Sequence, residues 1–426
     1  MPRGYARYAL AVMVGINFLN YLDRFVPAVT GPLIQQEFHL NDTQAGMLAT
    51  SFLLVYAIGA LPFGFWADRW VRKNIVAIGV TVWSVATVLT ALSQSFLHLF
   101  IGRAVVGIGE ASYYPAGTSL LSDYFPRDAR PRALAIWNVG TALGIAVGFA
   151  GGGLVAAKFG WRAAFLMTAV PGLLFAILAY RLREPLRGAA ETRGPRLEVV
   201  ADATMSNFLG LLRNRTLMIT IASQVPLYFV LGANANWLSF FLNRTFHLSI
   251  VQAGLVVGGV LVGGGLIGPL AGGWLATRWQ PRSEGANLQV GMVGSLLGAV
   301  FVGICLVAPT LAIFIPALFL GVVCLYLYAG PYTAITQNVV VPSLRASAVT
   351  LSLLLSHLLG DAGAPTIVGF LSDHIGGLRP ALLVTSIPLL LLSAGIASRG
   401  LRTIGPDTRS AEATWAEGPL EPVPVS

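Results

Sequence analysis

Charged side chains are scarce in this sequence: 11% of its 426 residues, against about 25% in a soluble domain. With 55% hydrophobic residues and a mean hydropathy of +0.73, that scarcity excludes a water-soluble globular chain. Cysteine is nearly absent. Cys305 and Cys324 both fall in apolar runs without metal-ligand spacing, so they read as core residues and not as ligands. No phosphate-binding P-loop, HExxH motif, nucleophile elbow or nucleotide-binding domain is present. The sequence therefore offers no catalytic site, no means of driving work by nucleotide hydrolysis and no call for a cofactor. Alternating strands of ~10 residues are missing too, which excludes a transmembrane barrel.

What the chain has in abundance is apolar runs of ~20 residues or more, each long enough to cross ~30 Å of hydrocarbon as a helix. About twelve are expected, at 8–33, 43–67, 74–93, 97–124, 131–157, 161–182, 216–243, 250–277, 287–308, 310–338, 343–372 and 378–398. The predicted class is an all-α integral membrane protein. The first run follows Arg3 and Arg7, holds Asp23 and Arg24 and lacks a small-residue cleavage site, so it reads as a retained helix rather than a signal peptide. With the N-terminus inside, the loops carrying Arg69, Arg72, Lys73, Arg127, Arg130, Arg132, Arg278, Arg282 and Arg345 also lie inside. Lys158, Arg162, Arg244 and Arg379 fall outside. This bias predicts cytoplasmic termini in a cell (inner) membrane. The net charge of +9 is then a topology signal. Basic residues spread over short loops speak against nucleic acid as a partner.

Residues 183–214 interrupt the apolar pattern with Arg, Glu, Pro and Gly, and predict a cytoplasmic linker between bundles at 1–182 and 215–398, with a cytoplasmic tail at 399–426. A repeat supports the division. Gly64, Ala67, Arg69 and Trp70 close the second run as Gly273, Ala276, Arg278 and Trp279 close the eighth, with Thr277 where the first copy has Asp68. Repeated six-helix halves are how transporters build a midplane site between two rocking bundles.

Ionisable residues inside such helices are the strongest functional signal, because each costs roughly 2.5 kcal/mol or more at the bilayer centre. At ~1.5 Å per residue, Asp23 on the first helix and Arg103 on the fourth reach nearly the same level. Glu110 lies seven residues past Arg103, on the same face and ~10 Å closer to the cytoplasm. Asp23 and Glu110 are expected to carry protons, although Asp23 with Arg103 also reads as a static clamp. Arg24, whose planar fork suits phosphate oxygens, is expected to hold an anionic headgroup together with Arg103. His357 and Asp361, four apart on one helical face, are further proton-coupling candidates; Asp361 also reads as satisfying backbone freed at a kink. Tyr113, Tyr114, Trp237, Tyr328 and Tyr332 read either as cavity lining or as core, with Tyr113, Trp237 and Tyr332 taken as substrate contacts. The glycine ladder at 140, 144, 148 and 152, with its counterpart around Gly254 and Gly258, reads as close helix packing.

The stretch GFWADRWVRK at 64–73 resembles the cytoplasmic signature of the major facilitator superfamily. The resemblance implies that fold, two six-helix bundles with pseudo-two-fold symmetry, and a cytoplasmic latch at Gly64, Asp68, Arg69, Arg72 and Arg278. NYLDR at 20–24, GRAVVGIGEASYYP at 102–115 and SHLLGDAGAP at 356–365 further resemble the Spinster branch, with REPLRGAAE at 183–191 as support. Members of that branch export lysophospholipids or sphingosine-1-phosphate. A proton-coupled lipid transporter is therefore expected, acting as a monomer with an amphiphile and protons as partners. An organic-anion or drug carrier, or a non-transporting lipid receptor or scaffold, are the alternatives.

Overall fold

The computed structural model describes residues 3–126, 128–187, 210–341 and 344–416; the side chains at 3, 61, 65, 68, 346 and 414–416 lie outside the described set. In the first half run α1 (Arg3–Phe38), α2 (Asp42–Arg69), α3 (Arg72–Ala91), α4 (Phe96–Tyr124), α5 (Arg130–Phe159) and α6 (Trp161–Tyr180). The second half has α7 (Arg215–Phe246), α8 (Ile250–Trp279), α9 (Ala286–Val307), α10 (Leu311–Tyr326), α11 (Ala329–Asn338), α12 (Arg345–Ser356), α13 (Ala364–His374) and α14 (Leu378–Gly400). A further helix, α15 (Ile404–Ala416), follows in the segment expected as tail. Of the expected linker, 188–209 lie outside the described residues, as does Arg127 among the loop arginines.

Among the described residues, 11 helical segments are long and apolar enough to cross a bilayer. The remaining crossing is α4, equally long at 29 residues but less apolar because it carries Arg103 and Glu110. Two crossings are interrupted. The tenth breaks between α10 and α11, and the eleventh widens into a π-helical turn at His357–Asp361 between α12 and α13. The halves repeat one packing scheme: α2 lies against α4 and α3 against α6, as α8 lies against α10 and α9 against α14. The ends of the crossings that bear the chain termini are called proximal below, the opposite ends distal.

Glycine lets α1 and α5 approach backbone to backbone. A Cβ at Gly140 would stand 2.7 Å from the Val14 carbonyl oxygen, and one at Gly144 would stand 2.5 Å from that of Phe18 and 2.8 Å from Tyr21 Cβ. Polar ties lock the same contact. Asn17 Nδ2 donates to the Trp137 carbonyl at 3.0 Å and to Thr141 Oγ1 at 2.8 Å. The α5 ladder is thus seated on α1, while Gly254 and Gly258 of α8 meet Phe149 of α5. Gly144→Ala would push against the α1 backbone and the Tyr21 Cβ, neither of which can turn aside, next to the segment carrying Asp23 and Arg24. It should cost about 1–3 kcal/mol, read as a lower unfolding temperature in detergent. Unchanged melting would show that α1 can shift freely.

The halves meet through α2 against α13, α5 against α8 and α1 against α7. Among the described residues, the hydrogen bonds between them lie toward the distal end. Asp42 accepts from Arg244 and Ser372, Asp373 accepts from the start of α2, and Thr366 Oγ1 donates to Thr50. The distal side is closed.

Candidate functional site

Two ion pairs link α1 to α4 near the middle of the first half. Arg24 Nη2 stands 2.9 Å from Glu110 Oε2, with its Nε at 3.3 Å from the same oxygen. Arg103 Nη1 stands 3.7 Å from Asp23 Oδ2, an ion pair too long for a hydrogen bond. Asp23 is instead hydrogen-bonded by Thr168 Oγ1 at 2.5 Å and by Thr87 Oγ1 at 3.1 Å. Burial is nearly complete: Asp23 is 2% exposed, Arg103 4% and Glu110 1%. Three buried polar atoms of the set have no hydrogen-bond partner: Arg103 Nε, Arg103 Nη1 and Glu110 Oε1. Desolvated polar groups of this kind are costly, and a ligand that supplies partners recovers that cost.

The arginines line a cavity of about 340 Å³ between the halves, within the range of small-molecule sites. Asp23 and Glu110 stand behind them, off its wall. Aromatic rings fix the guanidinium planes: Arg24 sits 4.5 Å from the Tyr56 ring centre and Arg103 sits 4.7 Å from that of Phe52. Across the cavity, His357 Nδ1 is 2.8 Å from Asp361 Oδ2, and the Tyr228 ring meets the imidazole edge-on at 5.0 Å. The π-helical turn lets both side chains reach the wall, and Gly360 within it lies close to the Val225 carbonyl. Toward the distal end the wall turns apolar through Ile34, Leu40, Leu48, Leu99, Phe165 and Phe240. The cavity is therefore polarised, with charge at mid-depth and hydrocarbon beyond.

Other expected site residues lie elsewhere. Tyr113 is core: its hydroxyl donates to the Met13 carbonyl at 2.8 Å and accepts from Trp137 Nε1 at 2.7 Å. Trp237 is fully buried with Nε1 on the Pro365 carbonyl, so it holds α7 to α13 and does not line the cavity. Tyr332 lines a separate, smaller cavity and accepts from Ser223. Large amphipathic rings pack as well as they bind, and sequence spacing does not separate the two uses. Tyr21, Tyr56, Phe52 and Asn236 also line the main cavity, and nothing in their local sequence pattern distinguishes them from core.

At the expected latch, Arg72 pairs with Asp123 and, at 2.7 Å, with Glu184, and Nη2 donates to the Pro185 carbonyl at 3.0 Å. These partners all belong to the first half or the start of the linker, so Arg72 ties α3 to the ends of α4 and α6, not to the opposite bundle. Gly64 has open space around it, Arg69 is exposed, and Arg278 sits 5.8 Å from the Trp274 ring of its own helix. The Asp68 side chain lies outside the described residues. Among the described residues, no cluster of His, Cys, Asp and Glu is arranged to hold a metal.

Comparison with known proteins agrees with this architecture. The family profile described as Major Facilitator Superfamily matches residues 13–365. Protein spinster homolog 1 of Xenopus tropicalis is 31% identical over 396 residues, covering 88% of this chain and 74% of its own. The sphingosine-1-phosphate transporter SPNS2 of Mus musculus is 32% identical over 379 residues, covering 84% and 68%. Among solved structures, a bacterial homologue of the human lysosomal transporter Spinster, inward-facing and occupied, matches with a TM-score of 0.76 at 25% identity, covering 98% of this chain and 99% of that one. The same homologue, inward-facing and unoccupied, matches with a TM-score of 0.78 at 24% identity. The chain belongs to the major facilitator superfamily, in its Spinster branch, and is a multi-pass membrane transporter rather than an enzyme.

Proposed function

We propose that this protein is a proton-coupled secondary transporter of a single-tailed anionic lipid, a lysophospholipid or a sphingosine-1-phosphate-like molecule, working by alternating access. The observation that carries the reading is the polarised cavity. Arg24 and Arg103 offer guanidinium donors at mid-depth, and the distal wall accepts an alkyl chain. The name of the mouse relative, a sphingosine-1-phosphate transporter, supports an amphiphilic phosphate as cargo. Glu110 and Asp23, each paired with an arginine, exchange protons, with His357 and Asp361 as a second relay on the opposite wall. Bundles 1–182 and 215–398 rock about the linker 183–214, with both termini, including the tail from 399, on the cytoplasmic side of a cell (inner) membrane. Gly64, Asp68, Arg69, Arg72 and Arg278 shape the proximal gate. The closed distal side makes the present state inward-facing in that orientation, and the site is complete in one chain.

Binding of water-soluble, short-chain analogues tests this directly. Affinity should rise with each methylene added, by at most ~0.8 kcal/mol per fully buried group, until the distal apolar wall is filled. Arg24→Lys should weaken phosphate-bearing analogues despite conserving charge, because a compact ammonium cannot offer the planar fork. Chain-length independence, or normal binding and transport of phosphate-bearing analogues by Arg24→Lys, would favour a small organic anion as cargo. Lipid binding without transport would indicate a receptor.

A further inference from the structure

A second cavity, of about 110 Å³, opens on the headgroup side of the first and belongs wholly to the second half. Tyr228 and Tyr328 line both spaces and form the partition between them. On each helix that contributes, the second cavity's residues lie nearer the proximal end. Gln224 precedes Tyr228 on α7, Thr336 follows Tyr328 on α11, and Ser352 precedes His357 on α12.

Its lining carries no charge and sets Gln224, Thr333, Thr336 and Ser352 among the tyrosine rings and the apolar Ala329, Val349 and Leu353. Gln224 is 4% exposed, and its Oε1 accepts from Ser352 Oγ at 3.3 Å and Ser356 Oγ at 3.2 Å. With the oxygen committed, the amide hydrogens remain for the chamber. Thr333 and Thr336 donate their hydroxyl hydrogens to the Ala329 and Tyr332 carbonyls, at 2.7 Å and 2.9 Å, which leaves lone pairs as acceptors. Such a set of neutral donors and acceptors fits hydroxyl groups; an ammonium would find there the faces of Tyr228, Tyr328 and Tyr332 but no carboxylate.

Resting on the lipid-transporter reading, we infer that the chamber is a subsite for an uncharged polyol esterified to the lipid phosphate. The preferred cargo is then a phosphodiester with a hydroxylated headgroup of the phosphoglycerol type. Its tail lies in the distal wall, its phosphate at Arg24 and Arg103, and its hydroxyls pass the tyrosine partition to Gln224 and Thr336.

The test is calorimetric titration of the full chain in detergent with three short-chain, single-tailed amphiphiles of identical tail, bearing a phosphate monoester, phosphocholine or phosphoglycerol. Phosphoglycerol should bind about tenfold more tightly than phosphocholine. Gln224→Met and, independently, Thr336→Val should each erase most of that preference while leaving monoester affinity unchanged. Equal or tighter binding of phosphocholine, or a uniform loss across all three headgroups in the variants, would overturn the subsite while leaving the lipid reading standing. Failure of all three amphiphiles to bind the parent protein would overturn the lipid reading and the subsite with it.

Discussion

Under a pH gradient of one unit the parent transporter should reach about tenfold accumulation for each proton carried, and Glu110→Gln should lose the tenfold that the Glu110 proton contributes. The reason lies in competition for one guanidinium. Glu110 holds Arg24 by two hydrogen bonds to a single carboxylate oxygen, and Arg24 is the cation of that pair that faces the cavity. A substrate phosphate at Arg24 and a negative charge on Glu110 repel each other, so an anion at Arg24 and a proton on Glu110 favour each other, and by linkage the preference is reciprocal. Substrate affinity should therefore rise as pH falls through the titration of Glu110. Because the two ligands bind together, cargo should accumulate on the less acidic side. Glutamine fixes the neutral form. Its variant should bind the anion at Arg24 well at every pH and carry no proton there, so that the Glu110 share of the pH dependence of binding and of the gradient-driven accumulation is lost together. Asp23→Asn should act similarly through Arg103, since an amide oxygen still accepts from Thr87 or Thr168 but no longer offsets the guanidinium. Proteoliposomes loaded with a soluble analogue give both readouts. Undiminished accumulation by both variants would remove these acids from the coupling.

The fold was legible because bilayer crossing imposes length and apolarity on each helix, and these survive in sequence without any knowledge of packing. The level match of Asp23 and Arg103 was legible for the same reason: rise per residue fixes depth. Pairing across levels was not. Arg24 meets Glu110 because a long side chain spans the offset between two helices whose rotation the sequence does not state, and α1 carries Pro27 and Pro32 within it. The interruption at His357–Asp361 was half legible: Asp361, between Gly360 and Pro365, reads as satisfying backbone freed at a kink, but nothing in the sequence tells a kink from a π-helical turn. Aromatics were the least legible, because Tyr56 under Arg24 and Tyr113 in the core are chemically alike and differ only in what lies opposite. The distal contacts were invisible beyond their local part: the Asn41 and Gln44 capping box can be read in the chain, but nothing there brings Arg244 and Asp373 to Asp42.

Those distal contacts set the second large expectation. Helix α2 starts with donors that need partners, and Asn41 Oδ1 serves the N–H of Gln44 at 2.8 Å. The N–H groups of Asp42 and Thr43 are left over, and Asp373 of the opposite half takes them at 3.0 Å and 2.9 Å, together with the Thr43 hydroxyl at 2.6 Å. Asp42 in turn accepts from Arg244 at 2.6 Å, from Ser372 at 2.5 Å and from Gln35 at 2.8 Å. All the contacts between halves must break when the distal side opens, and water then replaces them, so their net worth belongs to the distal-closed state alone. The cap from Asp373 is worth ~1 kcal/mol, and the half-exposed Arg244 pair adds no more than ~1 kcal/mol once solvent screening is counted. Combining Asp373→Ala with Arg244→Gln should then raise the distal-open to distal-closed ratio by about five- to thirtyfold. Leu48 on the distal wall of the main cavity reports this change when replaced by cysteine, after both native cysteines, Cys305 and Cys324, have been changed to serine. Labelling by a membrane-impermeant reagent applied from the distal side should accelerate by that factor in the double variant. An unchanged rate would mean that the apolar contacts of α5 against α8 and α1 against α7, not this clasp, hold the distal side shut.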